Sequence, residues 1–377
     1  MIKNIFRDLI LSQPLLKAGY VKARSTYLER DLISRELLDE WLNEADVVSI
    51  DPSILKDKLH VGLVRTDLQY DKYVKQRDYS TKYERFLKTN SISYSYFDPF
   101  QSDWIEKAKN FSLIVWHTRS DPSSQAHAQD KIFILNNKLG IKTFPTLAGI
   151  ASYENKLMSH YLYSLYNLPE IPTFVTYSQE EARRYIDICK FPLIAKIATG
   201  SSSLGVKKIK NKRDALKIVN KAFSYKGLKT YFPYHAQKDY IYFQEMIEDA
   251  EYDLRVIAIG NKLFGYYRYP KGDDFRASGS GIYEKKEIPV EALELAYKTK
   301  ESFGEYCLAT DMVYSKTKGK YLIIESSIFI GVDSCVQLSI DGIPGYYMRD
   351  SESSYTFCEG KYWIQELSLK EFIESNF

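Results

Sequence analysis

Two kinds of apolar patterning run along the chain, one at helical spacing and one in short continuous runs. Residues 1–58 read as mainly helical, and SRELLDEWL (34–42) is the clearest amphipathic stretch. From residue 59 the pattern turns α/β. HVGLVRT (60–66), FSLIVWH (111–117) and IKTFPT (141–146) have the length and apolarity of short buried strands, with helical segments between them. Pro145 and Gly149 punctuate a boundary near residues 145–150. A helix over ENKLMSHYLYSLYN (154–167) and a strand in IPTFVTYS (171–178) follow. Ser178 and Glu181 form the S-x-x-E signature of a helix start, and that helix runs to about Cys189. FPLIAKIATGSSSLGVKKIK (191–210) predicts a hairpin around a loop of small residues. The segment 240–269 predicts a strand, a polar crossing and a hairpin turning at Gly260-Asn261. At the end, LSLKEFIESNF predicts a docked helix.

The most informative chemistry lies in a further hairpin. LATDMVYS (308–315) and KYLIIESS (320–327) flank the turn Lys316-Thr317-Lys318-Gly319. A hairpin centred near Lys318 sets Asp311 directly opposite Glu325. Like charges at that separation, about 5 Å between Cβ atoms, destabilise a sheet. Something positive is therefore expected between them. A hard divalent cation such as Mg²⁺ takes oxygen ligands and fits. An arginine or lysine would serve equally, and a register slip of one residue would turn the two carboxylates to opposite faces.

Other positions carry weaker signals. The loop Gly200-Ser201-Ser202-Ser203-Leu204-Gly205 is built of residues that let backbone N–H groups approach an anion. Lys196 precedes it in an apolar run. A buried lysine needs a partner such as phosphate, whereas a lysine on a half-exposed strand simply points to water. Glu251, Asp253 and Arg255 share one face if a strand begins there. PKGDDFRASGSG (270–281), which holds Arg276, has the composition of a solvated connection. After strand 111–116 comes His117-Thr118-Arg119-Ser120-Asp121-Pro122, at the strand end where open α/β sheets place ligands. Arg119 there either grips a substrate anion or pairs with Asp121. Neither the P-loop GxxxxGK[ST] nor the GxGxxG fingerprint is present.

Composition adds exclusions. The 377 residues allow two or three domains. A net charge of +3 with both signs interspersed gives no reason to expect nucleic acid as a partner. No apolar run reaches the roughly 18–20 residues of a membrane helix, and the N-terminal segment reads poorly as a signal peptide. Cys189, Cys307, Cys335 and Cys358 are widely spaced, which suggests neither a zinc site nor a disulfide framework and makes the cytoplasm the default.

The order and spacing of these pieces over residues 150–331, and more weakly 59–149, resemble the ATP-grasp superfamily, most closely ligases of the glutathione-synthetase and RimK type. The resemblance implies an α/β (α+β) fold. Its parts would be a helical extension (1–58), an α/β pre-ATP-grasp domain (59–147), a central subdomain with a phosphate lid (148–235) and a C-terminal subdomain with the metal site (236–377). It implies that Lys156 and Lys196 contact the ATP phosphates beneath a lid running from Gly200 through Ser201, Ser202 and Ser203 to Gly205. Gln244, Glu245 and Ile247 would form the adenine hinge, with the Ile247 N–H facing the purine, and Glu251 would bind ribose. Arg255 in Asp253-Leu254-Arg255 and Arg276 in Phe275-Arg276-Ala277-Ser278 would face the transferring phosphate or the acyl substrate. Asp311, Glu325 and Ser327 would hold Mg²⁺ (or Mn²⁺). The chain departs from the family where it has Ser327 in place of the metal-binding asparagine and Ser278 in place of the asparagine of FRxN. The implied activity is ligation of a carboxylate to an amine through an acyl phosphate, with ADP and phosphate released. An ATP-grasp kinase, or a non-catalytic ATP-binding sensor or partner subunit, would share the nucleotide site. The implied substrate is a small molecule, an amino acid or a peptide, with Arg119 and Ser278 as candidate contacts. A homodimer is compatible with all of this.

Overall fold

The computed structural model describes residues 32–53, 59–65, 73–75, 78–200, 205–230, 232, 235–272, 277 and 281–377. Helix α1 (Arg35–Leu42) begins where the Ser34 hydroxyl accepts from the Leu37 N–H, and its apolar side buries Leu38 and Leu42. Four parallel strands follow, β1 (His60–Leu63), β2 (Ser93–Tyr96), β3 (Leu113–Val115) and β4 (Lys142–Phe144), in the order β2-β1-β3-β4. Helices α2 (Tyr79–Thr89) and α3 (Pro122–Asn137) connect them. The Leu-Ile-Val run of β3 is wholly buried, as the middle of a parallel sheet covered on both faces requires. Strand β2 has no apolar run to announce it. Its sequence is SYSY, and as an edge strand it is mostly exposed.

The central unit starts with α4 (Leu147–Ser152) and α5 (Lys156–Leu165). It continues with β5 (Thr173–Thr176), α6 (Gln179–Ile188), β6 (Leu193–Ala195), β7 (Lys207–Ile209), α7 (Lys212–Ala222) and β8 (Ile241–Glu245). The sheet is antiparallel in the order β5-β8-β6-β7. The predicted helix start is half of a capping box. The Ser178 hydroxyl accepts from the Glu181 N–H, but the Glu181 carboxylate takes the Thr176 hydroxyl instead of reaching back to Ser178. Strand β8 pairs with β5 and β6, so the central unit runs past residue 236, where the motif order had set the division. Strand pairing is non-local, and no punctuation in the chain marks it.

The C-terminal unit is an eight-stranded antiparallel sheet. Its strands β9 (Asp253–Ile259) and β10 (Lys262–Arg268) turn at Gly260-Asn261. Helix α8 (Val290–Phe303) leads to β11 (Cys307–Ser315) and β12 (Lys320–Ser327). A hairpin of β13 (Ile343–Ser351) and β14 (Ser354–Glu359) extends the sheet, and helix α9 (Ile364–Asn376) returns to the N-terminal region. There Glu366 pairs with Arg85 at 2.8 Å, and the buried Trp363 indole donates to the Leu42 carbonyl at 3.0 Å. Among the described residues no helix is long and apolar enough to cross a membrane.

The β11–β12 register has a particular consequence. Ser315 pairs with Lys320 and Met312 with Ile323, whereas Asp311 pairs with Glu325. Ile324 is thus the extra residue of a β-bulge. Without it, Glu325 would lie opposite Thr310 and face away from Asp311. The sequence-based pairing of Asp311 with Glu325 is therefore correct, but the bulge achieves it; the turn by itself is off by one residue.

Candidate active site

The sheet face around Asp311 is a ladder of charge. Strand pairing sets Arg255 opposite Asp311 and Asp253 opposite Arg268. The Arg255 guanidinium donates to both Asp311 oxygens, at 2.6 and 2.7 Å, and Arg268 donates to Asp311 at 2.6 Å and also to Asp253. Burial alone would push the Asp311 carboxyl up; the two guanidinium groups overcome it and hold the group well below the usual carboxylate range. Asp253 goes the other way, raised to about 6, because burial outweighs the pull of Arg268 and Asp311 adds repulsion. The positive partner expected for Asp311 is thus an arginine pair. Glu325 is left outside this neutral cluster. Its side chain is 39% exposed, and its nearest cation is the Lys156 ammonium at 3.8 Å.

Two cavities meet at this wall. The smaller, about 360 Å³, is lined by Ile171, Ile194, Val206, Ile247 and Val313, with Lys156, Lys196 and Glu325 at one end. Lys196 follows β6 directly and is buried, so the half-exposed alternative does not apply. Burial pushes its ammonium down to about 8; Glu325 pulls it back up, and Lys156 opposes that. Lys156 opens α5. Its N–H donates to the Ala198 carbonyl, and its ammonium reaches the Gly200 carbonyl at 2.6 Å, which ties the small-residue loop to the helix start. Gly205 closes that loop at φ +78°, and a Cβ there would lie 2.5 Å from the Ile197 side chain, so only glycine fits. Along the far side, the Gln244 amide is spent on Thr173 (3.0 Å) and Glu245 pairs with Lys318 (3.0 Å). The N–H groups of Met246 and Ile247 have no partner among the described residues. Glu251 sits at the rim and pairs with Lys316.

The larger cavity, about 680 Å³, draws on all three units. His117, just past β3, and Tyr79, which opens α2, come from the N-terminal unit, Tyr153 and Glu154 from the junction before α5, and Tyr266 and Phe329 from the C-terminal unit. His117 lies flat on Tyr79 at 3.8 Å and meets Phe329 edge-on at 4.6 Å. Burial lowers its pKa to about 4, so it is neutral at pH 7. Glu154 adopts φ +51°, a conformation uncommon for a residue with a side chain. Burial raises its carboxyl to about 7; Lys156 lowers it, and Glu325 raises it further. Lys156, Arg268, Asp311, Ile324 and Glu325 line both cavities and form their common wall.

The structure brings Lys156, Lys196, Gly200, Gln244, Glu245, Ile247, Glu251, Arg255, Asp311 and Glu325 to these two cavities, and Ser327 lines the larger one. The Ser327 hydroxyl donates to the Phe329 carbonyl at 2.9 Å, which leaves its oxygen lone pairs open. Ser201, Ser202, Ser203, Arg276 and Ser278 lie outside the described residues. Arg119 lines neither cavity; its side chain is 81% exposed and pairs with Asp121 at 3.5 Å. The strand end that was expected to supply a ligand contact supplies His117 instead, because Arg119 has already turned to solvent. Arg268, Glu154 and His117 are site residues that no motif singled out. A signal existed for Arg268, since a hairpin turning at Gly260-Asn261 pairs residue 253 with residue 268.

Residues 153–341, about half of the chain, match the family model described as a RimK-like ATP-grasp domain. The chain is 29% identical over 175 residues to the alpha-aminoadipate–LysW ligase LysX of Saccharolobus solfataricus, a match covering 46% of this chain and 60% of that protein. It is 27% identical over 202 residues to the tetrahydromethanopterin:alpha-L-glutamate ligase of Methanocaldococcus jannaschii, covering 51% of this chain and 65% of that one. Each match spans less than two thirds of the relative. A D-alanine–D-alanine ligase from Bacillus anthracis superposes with a TM-score of 0.48 at 16% identity, over 72% of this chain and 88% of that one, too loose an overlap to bear on the site. On the match over 153–341, which takes in Lys156, Lys196, residues 244–247 and the Asp311–Glu325 hairpin, the chain belongs to the RimK-like ATP-grasp family.

Proposed function

We propose that this protein is an ATP-dependent carboxylate–amine ligase. The observation that carries this reading is the shared wall. A smaller cavity, lined by apolar side chains together with Lys156, Lys196 and Glu325, abuts a larger one across Asp311 and Glu325. A purine fits between the apolar side chains of the first, against the free N–H of Ile247, with the phosphates toward the two lysines and Glu251 at the ribose. The terminal phosphate then faces the second cavity, where an acceptor carboxylate is held. An acceptor oxygen attacks the γ-phosphorus, the bond to the β-γ bridging oxygen breaks, and ADP leaves. Lys156 and Lys196 neutralise the phosphate charge as it shifts. An amine nitrogen then attacks the acyl carbon, inorganic phosphate departs, and the amine proton passes to solvent. Arg255, and Arg276 by its place in the FRxN-like motif, hold the acyl phosphate.

The donor set fits a divalent cation. Glu325 is half-open, Asp311 is fully ionised but shared with two arginines, and the Ser327 oxygen keeps its lone pairs. One or two carboxylates, completed by phosphate oxygens and water, suit Mg²⁺. When bound, such an ion would supply charge neutralisation at the β- and γ-phosphates. Both relatives' names pair a ligase with an amino dicarboxylic acid, aminoadipate or glutamate, which supports an amino-acid or peptide substrate here. All four cysteines are free thiols, which fits a reducing compartment such as the cytoplasm.

The test is mass spectrometry after incubating the protein with MgATP and a desalted metabolite and peptide extract, beside a Glu325→Gln control. A product equal to two components minus water, with ADP, supports the ligase. A phosphorylated product makes the protein a kinase.

A further inference from the structure

Among the described residues, four cations line the larger cavity, Lys156, Arg255, Arg268 and Lys285. The charges of Arg255 and Arg268 are balanced by Asp253 and Asp311, and Lys156 is shared between Gly200 and Glu325. Lys285 differs. It follows the short strand Tyr283–Glu284, which pairs with the end of β10. Alternate residues of this stretch face opposite ways. Glu284 and Lys286 pair with each other at 2.6 Å outside, whereas Tyr283 and Lys285 line the cavity. The Lys285 ammonium donates to the Val336 carbonyl at 2.5 Å and has no carboxylate within 4.0 Å among the described residues. Asp333, whose charge acts on Lys82, lines the same cavity but lies beyond 4.0 Å of the Lys285 ammonium.

Val336 also donates its N–H to the Ser334 hydroxyl oxygen at 3.0 Å. One residue thus fixes both the ammonium and the hydroxyl, and both line the cavity. The Ser334 proton is free to donate because its oxygen is already the acceptor. The loop is held in this shape by the buried Gln337, whose amide donates to the Ser334 carbonyl at 2.5 Å. An ammonium and a hydroxyl donor tied to the same backbone residue, with no carboxylate within 4.0 Å of the ammonium among the described residues, match a carboxylate.

We propose that Lys285 and Ser334 bind a carboxylate that the ligation does not consume, carried by the acceptor or by the amine donor. This rests on the ligase reading for the word "consume", but the anion site itself does not need turnover. The test is calorimetric titration of the full-length protein, with and without Mg²⁺ and a non-hydrolysable ATP analogue. The probes are glutarate (acceptor-like, without an amine) and glycine (donor-like, with one carboxylate). Wild type is expected to bind at least one probe. Lys285→Met should weaken that probe by about tenfold or more, Lys285→Arg should restore it to within about threefold, and the analogue should bind all three proteins equally. Selective loss of glutarate assigns the carboxylate to the acceptor, and selective loss of glycine assigns it to the donor. No binding of either probe to wild type at 20 mM, equal binding by Lys285→Met, or parallel loss of the nucleotide analogue in Lys285→Met overturns the proposal. If the analogue fails to bind wild type, the ligase reading falls, and the nucleotide-free titrations still decide the Lys285 site.

Discussion

The two cavities on either side of Asp311 and Glu325 are built on different principles. The proposed nucleotide side is the smaller, and its lining combines apolar side chains such as Ile171, Ile194, Val206, Ile247 and Val313 with Lys156, Lys196 and Glu325. Nearly all of it comes from consecutive stretches of the central and C-terminal units. The acceptor side is nearly twice as large, rich in tyrosine, and assembled from residues as distant as Tyr79, His117, Glu154, Tyr266 and Phe329. A purine is mostly a flat apolar surface with a few hydrogen-bonding edges, so a fixed slot with free backbone N–H groups can hold it. An acceptor of varied shape requires side chains gathered from several directions. The difference explains how one scaffold keeps its nucleotide chemistry while its substrate changes.

Four outcomes would break or sharpen this contrast. The largest concerns the wall. Glu325→Gln should lower ADP release by about a thousandfold with little change in folding, since the side chain is partly exposed. Normal turnover in that variant would remove the wall from the chemistry altogether. Its strand partner should behave in the opposite sense. Asp311→Asn strips the carboxylate from the buried Arg268 and the half-buried Arg255 and should cost about 3–5 kcal/mol of stability, read by urea denaturation. If both variants are equally stable, the arginine ladder is not holding the sheet face.

The third outcome separates the cavities. Lys196→Ala should weaken binding of an ATP analogue by about 1.5–3 kcal/mol. His117→Ala, on the acceptor side, should leave that affinity unchanged and raise the acceptor KM. Equal effects of the two substitutions on nucleotide binding would mean that the cavities are not independent. The smallest effect is one of pH. Burial depresses the Lys196 ammonium to about 8 in the nucleotide-free protein, so it is charged below that pH and loses its proton above it. Affinity for the analogue should therefore fall as pH rises from 7 to 9, by about tenfold at most, and Lys196→Arg should flatten the profile. A profile that rises over this range would show that another group governs binding.

Much of the nucleotide side was legible beforehand, because its parts are local. Apolar runs marked β8 and β9, and the Ser178 signature marked the start of α6. The small-residue loop and Lys196 are a few residues apart in sequence and remain so in space. Hairpin arithmetic was also informative. The turn at Gly260-Asn261 fixes the Asp253–Arg268 pairing, although Arg268 had attracted no notice as a lone arginine between tyrosines. Strand β2 escaped because an exposed edge strand needs no apolar run. Arg119 misled because a strand end indicates where a ligand lies but not which of the next residues turns inward; stacking on Tyr79 fixed His117 there instead.

Periodicity, turn residues and motif order were therefore enough to determine the element order, the hairpins and many of the residues that line the smaller cavity. Each depends on contacts between near neighbours in the chain. Tertiary structure alone decided that arginines, paired across strands, neutralise Asp311, and that burial brings Lys196 into a cavity. It also decided that a bulge at Ile324 turns Glu325 toward Asp311, and that Glu154, His117 and Lys285 converge on one cavity. Those outcomes depend on desolvation and on side chains brought together from separate units, and neither quantity is a property of any single stretch of sequence.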